Sequence, residues 1–261
     1  MNEHSFRIHS LPGYIATLYL AAYPDGRLLL LDGGARRDAV RVVDFLRREL
    51  GCEPEELRLV LVTHMHMDHA GAAPRLRRRY RVPIAAHRGI DEWYRGLSGA
   101  LQHFLDTVLG HYSARRQFGH LERAWAPRRL VPDYPLDDGQ PLPGFPDWIA
   151  YTAPGHTLYD MVFFAPREGI LYAGDLLLRF GGRVVLPFPT VFPELMAQSL
   201  EKLSRLPVRR LLLAHGGELE LDDPETFFLS LRTQAGRDPD RPLFRLVKPL
   251  LSLNRAARRQ L

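Results

Sequence analysis

Between Leu61 and Gly71 the chain reads LVTHMHMDHAG. Three histidines and an aspartate fall within six consecutive positions, as His64, His66, Asp68 and His69. The run LRLVLV just before them reads as a buried strand. These polar groups therefore stand where a strand leaves a core. A lone histidine in such a place is most often a hydrogen-bonded core residue. Four ligand-type groups together are different, because imidazoles and a carboxylate crowded without a cation have little to satisfy them. A divalent ion resolves the conflict, since neutral imidazole and carboxylate are its usual ligands. In an extended segment His64 and His66 point the same way. Once the chain turns, Asp68 and His69 can face a second centre.

Two centres need more ligands, and three candidates share the same context. His156 lies in APGHT, Asp175 in YAGD and His215 in LLLAHGG, each just past an apolar strand and flanked by small residues. His4, His9, His103, His111 and His120 lack that setting and read as surface or helix residues.

The rest of the chain suggests strands alternating with helices. LYLAAYPDGRLLLLDGG reads as two strands joined at Pro24-Asp25-Gly26, and DAVRVVDFLRREL as a helix. LRLVLVTH and VPIAAH are strands with a helix at AAPRLRRRY between them. WIAYTAPGH, MVFFAP, GILYAGD and RRLLLAHGG are further strands, with a helix at SLEKLSRL. Residues 91–126 differ. Trp93, Leu97, Leu101, Phe104, Val108 and Tyr112 recur at helical spacing, which predicts an inserted helical hairpin. Its apolar row is expected to shape a pocket over the metal site or to pack the hairpin onto the domain. Residues 127–146 read as a proline-rich loop with short extended pieces.

Charge is uneven. The net charge is +5, yet residues 232–261 alone hold eight Lys or Arg against two Asp. The remainder is close to neutral, which argues against a nucleic-acid partner. One domain over 1–230 and a basic extension over 231–261 are expected. In the tail Leu243, Val247, Leu250 and Leu251 share a face among Arg245, Lys248, Arg255, Arg258 and Arg259. That pattern suits docking on the domain or contact with an anionic membrane surface. A single cysteine, Cys52, excludes an intrachain disulfide. With a polar N-terminus and no apolar run long enough to span a bilayer, the expected location is cytoplasmic.

THMHMDHAG followed in order by PGHT, AGD and AHG resembles the metallo-β-lactamase superfamily of metallohydrolases. The resemblance covers roughly residues 10–220. It implies an α/β fold, a four-layer αβ/βα sandwich with the metals at one edge between two β-sheets, here with a helical insertion. It also implies that His64, His66 and His156 hold one metal, that Asp68, His69 and His215 hold the second, and that Asp175 bridges them. Two divalent ions are therefore expected, zinc first, with iron or manganese admitted because no thiolate selects zinc.

A formal balance of roughly +1, from two divalent ions set against Asp68, Asp175 and a bridging hydroxide, favours a reaction that develops negative charge. The expected reaction is hydrolysis of an ester, lactone or thioester carbonyl of a small molecule, by hydroxide formed at the metals. Asp68 is the candidate proton relay. The alternatives are a phosphodiesterase and a mononuclear iron oxygenase of the persulfide dioxygenase type. The full ligand set resembles glyoxalase II and the lactonases rather than true β-lactamases. The residues after His215 and after Asp175 lack the tyrosines expected of those two enzymes.

Overall fold

The apolar runs form strands covered on both faces, which is why they read as nearly continuous rather than alternating. The computed structural model describes residues 5–118, 122, 126–188 and 190–235. In the first sheet β1 (Arg7–Pro12), β2 (Thr17–Ala22), β3 (Leu28–Leu31), β4 (Leu57–Val62), β5 (Ile84–His87) and β6 (Tyr134–Leu136) lie side by side in chain order. The first three pair antiparallel, and β3 through β6 pair parallel. Parallel neighbours need a crossover. α1 (Asp38–Phe45) supplies it between β3 and β4; α2 (Met67–Ala70) and α3 (Ala73–Tyr80) supply it between β4 and β5. α4 (Gly96–Phe118) lies between β5 and β6.

The second sheet holds β7 (Gln140–Leu142), β8 (Phe145–Thr152), β9 (Met161–Ala165) and β10 (Ile170–Tyr172). A two-stranded ribbon follows, β11 (Leu178–Phe180) with β12 (Arg183–Val185). α5 (Pro193–Ser204) then leads to β13 (Arg210–Leu213), β14 (Gly217–Glu220) and α6 (Pro224–Arg232). The spatial order is β14-β13-β10-β9-β8-β7.

Side-chain alternation divides the apolar residues into three layers of core. Tyr19, Leu29 and Leu31 of the first sheet meet Trp148, Phe163 and Tyr172 of the second. Leu18, Leu20 and Leu30 face the other way, onto Val42 of α1 and Leu76 of α3. Val162, Phe164 and Leu211 face Met196 and Leu200 of α5 and Phe228 of α6. The result is the expected helix–sheet–sheet–helix sandwich. α6 belongs to it, since Leu231 is buried and Arg232 meets Glu201 at 3.4 Å. The rest of the basic extension, with its leucine and arginine pattern, lies outside the described residues. Among the described residues no helix is long and apolar enough to cross a membrane.

The insertion departs from expectation. It holds one long helix, α4, after a short 3-10 turn at Ile90–Glu92. The second helical piece falls largely outside the described residues. Only the first member of the apolar row, Trp93, packs onto the domain and lines a pocket. Trp93 is buried, but Leu97 is 92% exposed, and Leu101, Phe104, Val108 and Tyr112 are exposed as well. The buried face of α4 carries Gln102, His103 and Thr107. Helical spacing says which residues share a face, not which way that face points.

Phe163, fully buried between the sheets, and Leu97 make opposite predictions. Phe163→Ala is expected to cost about 3–5 kcal/mol of unfolding free energy. Leu97→Ala is expected to stay within about 0.5 kcal/mol of the parent. Urea denaturation measures both, and equal losses would place the α4 row in the core.

Candidate metal centre

Every candidate ligand follows the C-terminal end of a strand: β4 for His64 to His69, β8 for His156, β10 for Asp175 and β13 for His215. β8 and β10 both run antiparallel to β9, and β13 runs parallel to β10, so these three strands end at the same edge. Two backbone hydrogen bonds tie the sheets together there. Met161 N donates to the carbonyl of Thr63 (3.0 Å), and Thr17 N to that of Ala214 (2.7 Å).

The chain turns at His66, which is still extended (φ −65°, ψ 153°) but opens α2. His64 and His66 thus precede the turn, while Asp68 and His69 lie within it. Gly71 is required by close approach. A Cβ there would lie 2.4 Å from the carbonyl oxygen of Met67 and 2.7 Å from Arg36 N.

The structure brings all seven residues together as two groups. One is His64, His66, His156 and Asp175, and the other is Asp68, His69 and His215. Within each group the ligand atoms lie within 4.8 Å of one another. His66 Nδ1 is 3.1 Å from His64 Nε2 and 2.9 Å from His156 Nε2. Asp175 faces both groups. Its Oδ2 is 3.8 Å from His64 Nε2 and 3.6 Å from His156 Nε2. Its Oδ1 is 3.1 Å from His69 Nε2 and 3.2 Å from His215 Nε2. Asp68 Oδ2 completes the second group, 3.3 Å from His215 Nε2.

Electrostatics divide the histidines, although not strictly by group, since Asp106, Asp68 and Asp175 hold His66 above its usual range against burial. Burial, with the neighbouring imidazoles, holds His64 well below the usual histidine range and pushes His156 down to about 3. Both therefore present neutral lone pairs. In the second group burial opposes a charge on His215, but the carboxylates of Asp175 and Asp68 outweigh it and push the ring up to about 10. His69 is likewise held well above its usual range by Asp175, Asp32 and Asp68, against burial. His69 Nε2 and Asp175 Oδ1 are buried without a hydrogen-bond partner. Ligands about 2.0–2.1 Å from one tetrahedral ion stand roughly 3.3 Å apart. The measured spacings and the orphaned atoms thus fit divalent cations.

Behind the ligands lies a residue the motifs did not reveal. Asp32, at the end of β3, is buried and takes φ 75°. Its Oδ1 accepts from Thr63 N (2.7 Å). Its Oδ2 accepts from Thr63 Oγ1 (2.7 Å), His69 Nδ1 (2.7 Å) and Tyr172 Oη (2.8 Å). His64 Nδ1 in turn donates to Thr63 Oγ1 (3.0 Å). Asp32 therefore fixes the outer nitrogen of His69 directly and that of His64 through Thr63, leaving both Nε2 atoms facing the centre. The sequence does carry a signal for it: LLLLDGG is a strand followed by a carboxylate and glycines, as in YAGD.

α4 adds a second set the sequence did not disclose. Asp106 Oδ2 lies 3.6 Å from His66 Nε2 and accepts from Tyr94 Oη (2.9 Å). Beside them is a cavity of about 230 Å³ that reaches His66, Asp68 and His156. His103 also lines it, buried rather than on the surface. His111 is in α4 and His9 in β1, while His4 and His120 lie outside the described residues.

Residues 12–215 match the family model of the metallo-beta-lactamase superfamily. The chain belongs to this superfamily. A hydroxyacylglutathione hydrolase of Bartonella quintana is 29% identical over 157 residues, 60% of this chain and 47% of that protein. The chain thus spans about half the length of that relative. Among solved superfamily structures, ST1585 from Sulfolobus tokodaii has a TM-score of 0.62 at 21% identity, covering 97% of this chain and 98% of that one. TTHA1623, in a di-iron-bound form, has a TM-score of 0.57 at 23% identity, covering 89% and 98%.

Asn tolerates positive φ, so Asp32→Asn should fold while weakening the hold on His69. Metal affinity is expected to fall by about 10–100-fold at the group containing His69. Competition with a chromophoric chelator measures it; unchanged affinity would remove Asp32 from the site.

Proposed function

We propose that this metal-dependent hydrolase cleaves an ester, lactone or thioester of a small molecule, using two divalent ions held by the seven clustered residues. The observation that carries the reading is Asp175, whose two oxygens face separate nitrogen groups. When bound, the ions would bring the pKa of water to about 7 and polarise the carbonyl under attack. His64, His66 and His156 would hold one ion, and Asp68, His69 and His215 the other, with Asp175 between them. Asp32 and Thr63 keep the inner ring nitrogens aimed inward. Asp68 stands at the cavity wall, where its carboxylate can take a proton from water or return it to the leaving oxygen or sulfur. Water adds its hydroxyl to the acyl carbon and its proton to the departing alcohol or thiol. Such leaving groups need no dedicated acid beyond this.

Similarity to a hydroxyacylglutathione hydrolase supports the thioester member of this class. Zinc is the first candidate metal. Iron stays among the candidates because a solved neighbour is described in di-iron form. The lone cysteine, Cys52, accords with a cytoplasmic enzyme.

Elemental analysis of the purified protein is expected to find close to two metals per chain, and a panel of thioesters, esters, lactones and phosphodiesters to show carbonyl hydrolysis. Asp175→Ala should lower both metal content and kcat/KM, the latter by more than about a hundredfold. Full activity in that variant would sink the bridging role. One iron per chain with oxygen consumption would favour the oxygenase instead.

A further inference from the structure

The charge of the cavity is one-sided. Among the described residues no lysine or arginine lines it. His103 does not serve as a cation there. Its Nε2 donates to the carbonyl of Ala126 (2.9 Å), and burial holds the ring below the usual histidine range. Trp93, Leu109, Phe188 and Val191 make part of the wall apolar, beside the uncharged polar side chains of Gln102 and Thr107. The ionisable group that α4 sends toward the ligands is Asp106, 3.6 Å from His66 Nε2 and held by Tyr94 Oη at 2.9 Å. Its side chain keeps 13% exposure, so the carboxylate lies on the wall rather than behind it.

We propose that Asp106, held by Tyr94, is a specificity-determining residue that admits uncharged acyl compounds and excludes anionic ones, glutathione thioesters among them. The proposal rests on the hydrolase reading above. With two ions bound, Asp68, Asp175 and a hydroxide would leave the centre a formal charge of roughly +1, which the carboxylate of Asp32 behind His69 offsets. Asp106 adds a further negative charge beside the ligand set. An anionic substrate then meets a like charge at short range in a partly desolvated cavity, where repulsion is poorly screened. No cation among the described wall residues compensates. An uncharged acyl group meets no such penalty and gains from the aromatic and aliphatic surface.

The test uses the full chain loaded with zinc. One acyl group is presented as the uncharged thioester of N-acetylcysteamine and as the anionic thioester of glutathione. The parent is expected to favour the uncharged thioester in kcat/KM by at least about tenfold, mainly through KM. Asp106→Asn should remove most of that preference with metal content unchanged. Tyr94→Phe keeps the carboxylate and should keep the preference. Calorimetry with S-hexylglutathione and with the matching N-acetylcysteamine thioether reads the same order without turnover. Equal handling of the two charges by the parent, or an unchanged ratio in Asp106→Asn, would overturn the proposal. So would loss of metal from Asp106→Asn, which would make the residue a support of His66 instead. If no carbonyl substrate is cleaved while the thioethers are still discriminated, the hydrolase reading falls and the selection by charge stands.

Discussion

The carboxylate of Asp32 joins β3, β4 and β10 at the edge where the two sheets meet. Four donors converge on it: the amide and hydroxyl of Thr63, the ring of His69 and the phenol of Tyr172. A buried carboxylate is costly unless it is satisfied in this way. Burial beside Asp32 also holds the Tyr172 phenol protonated, its pKa well above the usual tyrosine range. Tyr172 thus remains a donor, and Asp32 keeps its geometry. Residue 32 takes a left-handed backbone conformation that only a few residue types accept readily. The two glycines after it let α2 approach. A Cβ at Gly33 would lie 2.9 Å from the carbonyl oxygen of His69 and from Ala73 N. The tight contact and the carboxylate together decide where His69 points.

From that anchor the site follows by topology. Strands that run the same way end at the same edge, and a ligand placed just past each end converges with the others. Glycines at the ends serve this convergence by allowing close contact. Gly174 takes φ 52° and would press a Cβ onto Thr63 at 2.9 Å. Gly216 takes φ 121°, and a Cβ there would lie 2.3 Å from Arg179 of the ribbon that covers His215. The small residues beside Asp175 and His215 in the sequence are therefore packing requirements of the ligand edge.

How much of this is legible in the sequence differs from element to element. β4 and the ligands after it are readable because an apolar run ending in four polar groups is hard to satisfy without a cation. The same rule, a strand then a turn then a ligand, locates His156, Asp175 and His215. Applied evenly it also reaches Asp32, which escapes notice because one carboxylate after a strand looks like an ordinary turn. β1 and β14 are not legible, since neither RIHSLP nor GELE carries a strong period. The stripe on α4 is one face of a helix, as its spacing predicts, but it lies on the solvent side rather than the domain side. Periodicity contains no information about what lies opposite. Asp106 is invisible for the same reason: within the sequence it is one polar position on a helix, and its value comes from the ring of His66, 40 positions away in the chain.

The orientation of α4 follows from what lies beneath it. Turning the helix to bury Leu101, Phe104 and Val108 would press alkyl groups against the outer nitrogen of His66. It would also break the bond from Tyr94 Oη to Asp106 and that from His103 Nε2 to Ala126. Partly buried polar groups left without partners cost about 1–3 kcal/mol each. Burying these three apolar side chains would gain a comparable amount per residue, so hydrophobicity alone does not settle the matter. The difference is that an exposed apolar side chain forgoes only that gain, whereas an apolar face turned inward would also take the carboxylate of Asp106 away from the cavity wall. A helix laid over a charged centre therefore turns its polar face inward. The strand ends carry the clustered residues, while Gln102, His103, Asp106 and Thr107 of α4 line one side of the cavity beside them. α4 and the strand edge anchored on Asp32 thus contribute separate parts of the same cavity.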